Sequence, residues 1–115
     1  MNGKQFIKNI DFAKPSVLES LVGYQEGRVV SRTLSQGRAL SVTLFAFDKG
    51  EEISTHSAPG DAMVCILDGE AEVTIGEEKF LLTKGETIVM PANVPHGLVA
   101  REQFKMLLIV VFSLS

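Results

Sequence analysis

The chain holds two histidines in its 115 residues, and each stands in a spaced frame of glycine and proline. Five residues separate Gly50 from His56 and twelve separate His56 from Gly69; five separate Gly85 from Pro91, and four separate Pro91 from His96. Imidazole titrates near neutral pH and keeps one nitrogen lone pair when neutral. Two such rings in one place could accept hydrogen bonds from a ligand or hold a transition metal, and His56 paired with Asp61 could transfer a proton. The metal option has a stricter requirement. Mononuclear catalytic sites use three protein ligands and an open position, and the oxygenase version is two histidines with one carboxylate. The histidines are present; the carboxylate has to be found. Other chemistries lack their parts, since the chain has no glycine-rich phosphate loop, no His-Glu-x-x-His and no Gly-x-Ser-x-Gly.

The elements that must carry these residues read as β-strands. Gly23, Gly27, Gly37, Gly50, Gly60, Gly69, Gly76, Gly85 and Gly97 punctuate segments of strand length, the pattern of an all-β sandwich or barrel. Asp68-Gly69 has the composition of a type I′ hairpin turn, with Gln36-Gly37 and Gly76-Glu77 as similar sites. Beyond it Ala71, Val73 and Ile75 alternate with Glu70, Glu72 and Thr74, the period of a half-buried strand. Two runs lose the alternation, Ala62 to Leu67 and Met106 to Phe112, so neither face of those strands should meet water. Either a second copy of the chain covers the outer face through a symmetric interface, or the N-terminal segment around Phe6, Ile10 and Phe12 folds back over it. One helix is predicted. Ser16-Val17-Leu18-Glu19 has the arrangement of a capping box with Pro15 just outside it, Leu18, Leu21 and Val22 form a small apolar face, and Gly23 ends it.

Taken together, the two histidine frames resemble the signature motifs of the cupin superfamily. In that family the first motif runs Gly, five residues, His, one, His, three or four, Glu, six, Gly, and the second runs Gly, five, Pro, one, Gly, two, His, three, Asn. Gly50, His56 and Gly69 match the first, and Gly85, Pro91 and His96 match the second. Four positions depart: Ala58 stands at the second histidine, Ala62 at the glutamate, Asn93 at the second glycine and Ala100 at the asparagine. The resemblance covers about residues 40–112. It implies an all-β antiparallel jelly-roll (double-stranded β-helix) barrel with one short N-terminal helix. The whole chain, 1–115, would be a single domain, with the arm and helix in about 1–27. Cupins are often dimers, which agrees with a homodimer covering the two-sided strands.

The resemblance further implies that His56 and His96 enter the barrel from facing strands, in a cavity lined by Val64, Ile66, Leu98 and Ala100, where a small organic molecule would bind. Ala58 and Ala62 remove two of the four usual metal-ligand positions. The remaining metal set is His56, His96 and Asp61, and it would hold a divalent manganese, iron, nickel, zinc or copper ion weakly. Asp61 lies one residue before the family glutamate, and in a strand that shift reverses the side chain, so it joins the set only where Pro59-Gly60 bends the backbone. The other reading of Asp61 is a turn residue that bonds its own loop. For a metal-bearing cupin the implied activity is that of a dioxygenase or isomerase on a small organic substrate; Ala58 and Ala62 favour a binding protein instead. Tyr24 is the sole tyrosine and lies outside both motifs, which weakens any comparison with metal-free cupin epimerases that pair a histidine base with a tyrosine acid. Asn93 suits a left-handed backbone at the family glycine, and Pro95 stiffens the mount of His96.

Composition narrows the partners. A net charge of −3 with scattered lysines and arginines gives no basic footprint for nucleic acid. Arg28 and Arg32 read as solvated edge charges. Met106 to Phe112, the longest apolar run, is far short of the about 20 residues that span a bilayer, and Met1 to Lys14 lacks the apolar stretch of a signal peptide. A soluble cytoplasmic protein with no membrane partner is expected. The lone Cys65 forms no internal disulfide and reads as a small buried hydrophobe.

Overall fold

The computed structural model describes residues 5–113. A single turn of 3-10 helix, Leu18–Leu21, precedes seven strands: β1 (Val29–Gln36), β2 (Leu40–Phe47), β3 (Glu52–His56), β4 (Gly60–Ile75), β5 (Glu78–Thr83), β6 (Thr87–Met90) and β7 (His96–Phe112). All strand pairs are antiparallel. The two apolar runs fall in β4 and β7, which pair from Gly60 opposite Phe112 to Ile75 opposite His96 and form the spine of the jelly roll. Each spine strand changes its other neighbour midway. β7 is flanked by β2 along Phe104–Val111 and by β3 at its His96 end, while β4 is flanked by β6 along Ala62–Cys65 and by β5 along Glu70–Ile75.

The hairpin expected at Asp68-Gly69 is not there. β4 runs straight through both residues, which instead lie between two bulges, one at Ile66/Asp68 and one at Gly69/Ala71. Gly69 does adopt positive φ, +76°, but it uses it to bend a strand whose partner is the distant β7. The hairpin of this segment comes one stretch later, at Gly76-Glu77, where Ile75 pairs with Glu78 and Gly76 has φ +61°. The Gln36-Gly37 turn is also formed, with the Gly37 N–H donating to the Leu40 carbonyl.

The helix expected after Pro15 is only a single turn. It is four residues of 3-10 helix with Val17 as its cap; the Ser16–Glu19 capping box does not form, and the Ser20 hydroxyl donates to the Val17 carbonyl. Its length reflects what it packs on. A 3-10 turn stacks residues three apart, so Leu18 and Leu21 lie together against the sheet, and the chain is extended again at Val22.

Alternation sorts the side chains into two apolar clusters. The barrel interior holds Phe47, Ala62, Val64, Ile66, Ala71, Val73, Leu82, Met90, Leu98, Ala100, Phe104 and Met106, with the Phe47 and Phe104 rings stacked at 4.5 Å. Each large side chain there contributes on the order of 1.5–3 kcal/mol of burial. A second cluster lies on the outer face, where Val22, Leu34, Leu44 and Ala46 are joined by Ile10, Leu18, Leu21, Tyr24, Leu67 and Leu107. The N-terminal segment therefore covers one half of the outer face. Phe6 and Phe12, expected to share in this, are exposed. Arg32 ties the segment down by donating to the Asn9 and Leu21 carbonyls, an anchoring role rather than that of a solvated edge charge. Cys65 is half-buried on this outer side. Among the described residues no helix is long and apolar enough to cross a membrane.

Candidate functional site

His56 ends β3 and His96 opens β7, and the register sets them opposite one another. Their rings meet edge to face with centroids 4.6 Å apart. Gly97 permits the approach, because a Cβ there would lie 3.0 Å from the Ile53 carbonyl oxygen and 3.3 Å from the Thr55 nitrogen. Any larger residue would press β3 away from β7 beside the pair. The sequence shows Gly97 only as one glycine among many, since its role depends on the distant strand β3.

The two rings differ in setting and agree in bonding. His96 is 3 % exposed, whereas His56 is open to solvent. His56 Nδ1 bonds the Ser54 carbonyl at 3.0 Å, and His96 Nδ1 bonds the Val94 carbonyl at 3.1 Å. A carbonyl oxygen can only accept, so Nδ1 carries the proton in both rings and Nε2 of the neutral ring keeps its lone pair. Burial holds the His96 imidazole below its ordinary pKa, and the neighbouring His56 acts in the same direction against the Val94 bond. His96 is a neutral acceptor at pH 7.

The expected lining residues Val64, Ile66, Leu98 and Ala100 all lie in the interior cluster. Asn93 has φ +65°, the left-handed backbone anticipated for it at the family glycine. Asp61 is not gathered with the histidines. Its side chain is exposed, its Oδ1 accepts from the Ala92 N–H at 2.8 Å, and the adjacent Ala62 is the residue that faces the interior. The arrangement follows the one-residue alternation of β4. Among the described residues no three His, Cys, Asp or Glu side chains come together in a way that could hold a metal ion. The donor chemistry fits two positions of a metal, because a ligating imidazole characteristically donates its other N–H to a carbonyl. It does not supply the third protein ligand of a resident catalytic centre.

The fold agrees with comparisons to known proteins. Residues 43–112 match the family model described as the cupin domain. The chain belongs to the cupin family. A conserved protein of unknown function from Streptococcus pyogenes superposes with a TM-score of 0.96 at 48% identity, covering 99% of this chain and 100% of that one. A cupin superfamily protein from Desulfitobacterium hafniense gives 0.89 at 33% identity, covering 93% and 98%. Quercetin 2,3-dioxygenase from Bacillus subtilis is 30% identical over 78 residues, which is 67% of this chain and 23% of the dioxygenase. An uncharacterised Streptomyces coelicolor protein is 32% identical over 59 residues, 51% of this chain and 56% of its own length. The chain thus spans about a quarter of the first of these curated relatives and just over half of the second.

Proposed function

We propose that this cupin binds a small organic molecule at the barrel end where His56 and His96 meet, with a divalent metal held weakly between protein and ligand. The observation that carries the reading is the shared Nδ1–H to carbonyl bonding, which leaves two Nε2 acceptors on rings 4.6 Å apart. A metal there would act as a Lewis acid on a bound oxygen. His56 and His96 would hold it, while Ser54 and Val94 fix the tautomers and the interior cluster keeps the floor of the site dry. The remaining coordination falls to ligand and water. A dioxygenase or isomerase is the second reading, favoured by the match to quercetin 2,3-dioxygenase and opposed by Ala58 and Ala62, which carry no donor. Fold alone does not choose between them. The single cysteine suits a reducing, cytoplasmic compartment.

The test is calorimetric titration of untagged protein with manganese, iron, nickel, zinc and copper salts, for wild type and for the His56→Ala/His96→Ala variant. Wild type should bind at least one of them and the variant none. Equal binding by both, or by neither, removes the metal and leaves direct contact between imidazoles and ligand.

We also propose a homodimer. Register places Val42, Ile109, Met63 and Val89 in one row across the outer face, beside Leu40 and Val111 in the next. Val111 is 55% exposed, Val89 49% and Leu40 39%, on the part of the face that the N-terminal segment leaves uncovered. Such a row suits a second copy related by a two-fold axis. Light scattering after size exclusion should give twice the chain mass, and Val111→Lys with Val89→Lys should give the monomer mass. A monomeric wild type at micromolar concentration would end this proposal.

A further inference from the structure

Asp61 has a partner far along the chain. Its Oδ1 accepts the Ala92 N–H at 2.8 Å across 31 residues, and Ala92 belongs to the loop 91–95 that delivers His96. A second bond pins the same loop to the same segment, the Asn93 N–H donating to the Ala58 carbonyl at 2.7 Å. Between these pins and His96 the chain makes its left-handed step at Asn93 and presents the Val94 carbonyl to His96 Nδ1 at 3.1 Å. Beyond it the Pro95 carbonyl receives the Gly76 N–H at 2.8 Å. The carbonyl that sets the His96 tautomer is therefore two residues from a backbone group held by a carboxylate.

We infer that Asp61 is a positioning residue: by holding Ala92 it keeps the Val94 carbonyl on His96 Nδ1, and so keeps His96 Nε2 as the acceptor of the site. A carboxylate suits the task because a hydrogen bond to an ionised acceptor is stronger and shorter than a neutral one. Water could satisfy the Ala92 N–H equally well, so the effect of the bond lies in where the loop sits. His56 supplies an internal reference. Its Nδ1 bonds Ser54 on its own strand and owes nothing to the loop.

This deepens the reading of His96 as a site group, yet its test needs no ligand. Long-range proton–nitrogen NMR on metal-free, nitrogen-15-labelled protein at about pH 8 reads the tautomer of each ring. Wild type should show Nδ1–H alone at both histidines. In Asp61→Ala, His96 should become a mixture of tautomers with His56 unchanged, and Asp61→Asn, which keeps an oxygen acceptor, should restore the single form. Asp61→Glu, which moves the oxygen by one methylene, should give the mixture too and replaces the alanine variant should that fail to fold. An unchanged His96 ring in the alanine and glutamate variants, or equal loss in alanine and asparagine, would overturn the assignment. A failed metal titration would leave these spectra unaffected.

Discussion

Gly69→Ala should lower the stability of the chain by more than about 3 kcal/mol and leave little soluble protein. Two costs add. Gly69 has φ +76°, where a residue with a Cβ loses on the order of 1–3 kcal/mol. The added carbon would also overlap the Gln103 carbonyl oxygen and lie 2.7 Å from the Gln103 carbonyl carbon and 2.8 Å from the Phe104 Cα. These are backbone atoms of β7 at the point where β4 bends between its bulges, so neither strand can yield without opening the spine. A domain of this size has about 5–15 kcal/mol in all. Gly76→Asn is the matched control, since φ there is +61° with open space around the Cβ position, and asparagine tolerates that conformation. Urea unfolding followed by circular dichroism should give a change below about 1 kcal/mol for Gly76→Asn. Similar midpoints for the two variants would show that the close approach at Gly69 is not required.

The second large effect is acid sensitivity. The buried His96 has a folded pKa below its ordinary value of 6.5, so as pH falls through 6.5 the unfolded chain takes up a proton that the native chain resists. Stability contributed by neutral His96 is therefore complete above about pH 6.5 and is lost as pH falls towards the folded value, by up to about 1.4 kcal/mol for each pH unit in that window. Below the folded value the loss levels off. Asp48 and Glu86 act in a lower range. Bonds from Gly27 and Thr83 hold their carboxyls below the ordinary 3.8 and 4.5, and their contribution is lost as pH falls through those lowered values. Urea midpoints of metal-free protein between pH 5 and 7.5 should thus fall for wild type and stay nearly flat for His96→Leu; parallel curves would mean that another group carries the acid response.

How much of this was legible in the sequence depended on how far each signal reached. The Gly76-Glu77 hairpin and the left-handed Asn93 follow from a few adjacent residues and formed as read. The meeting of the two histidines was implied by the family resemblance that the spaced frames carry, but not its setting: the rings meet across hydrogen-bonded neighbours β3 and β7, and His56 is open to solvent. Asp68-Gly69 misled, since the same two residues serve a tight turn or a bulge, and only the pairing with β7 decides between them. The capping box misled for a related reason: local bonding by Ser16 and Glu19 lost to packing of Leu18 and Leu21 on the sheet. The anchoring by Arg32, the clearance at Gly97 and the tether from Asp61 had no local signal at all. Each involves a partner that only the fold brings near.

The junction of the N-terminal segment with the bulge also has a spectroscopic consequence. Tyr24 donates to Asp68 Oδ2 at 2.5 Å, and the Lys105 ammonium lies 5.0 Å from its ring centre. Burial, and then the Asp68 carboxylate, push the phenol pKa well above its ordinary value. The chain has no tryptophan and no other tyrosine. Its phenol absorption and emission therefore come from this one joint, and they report whether the arm is seated on the barrel, with no dye or label required.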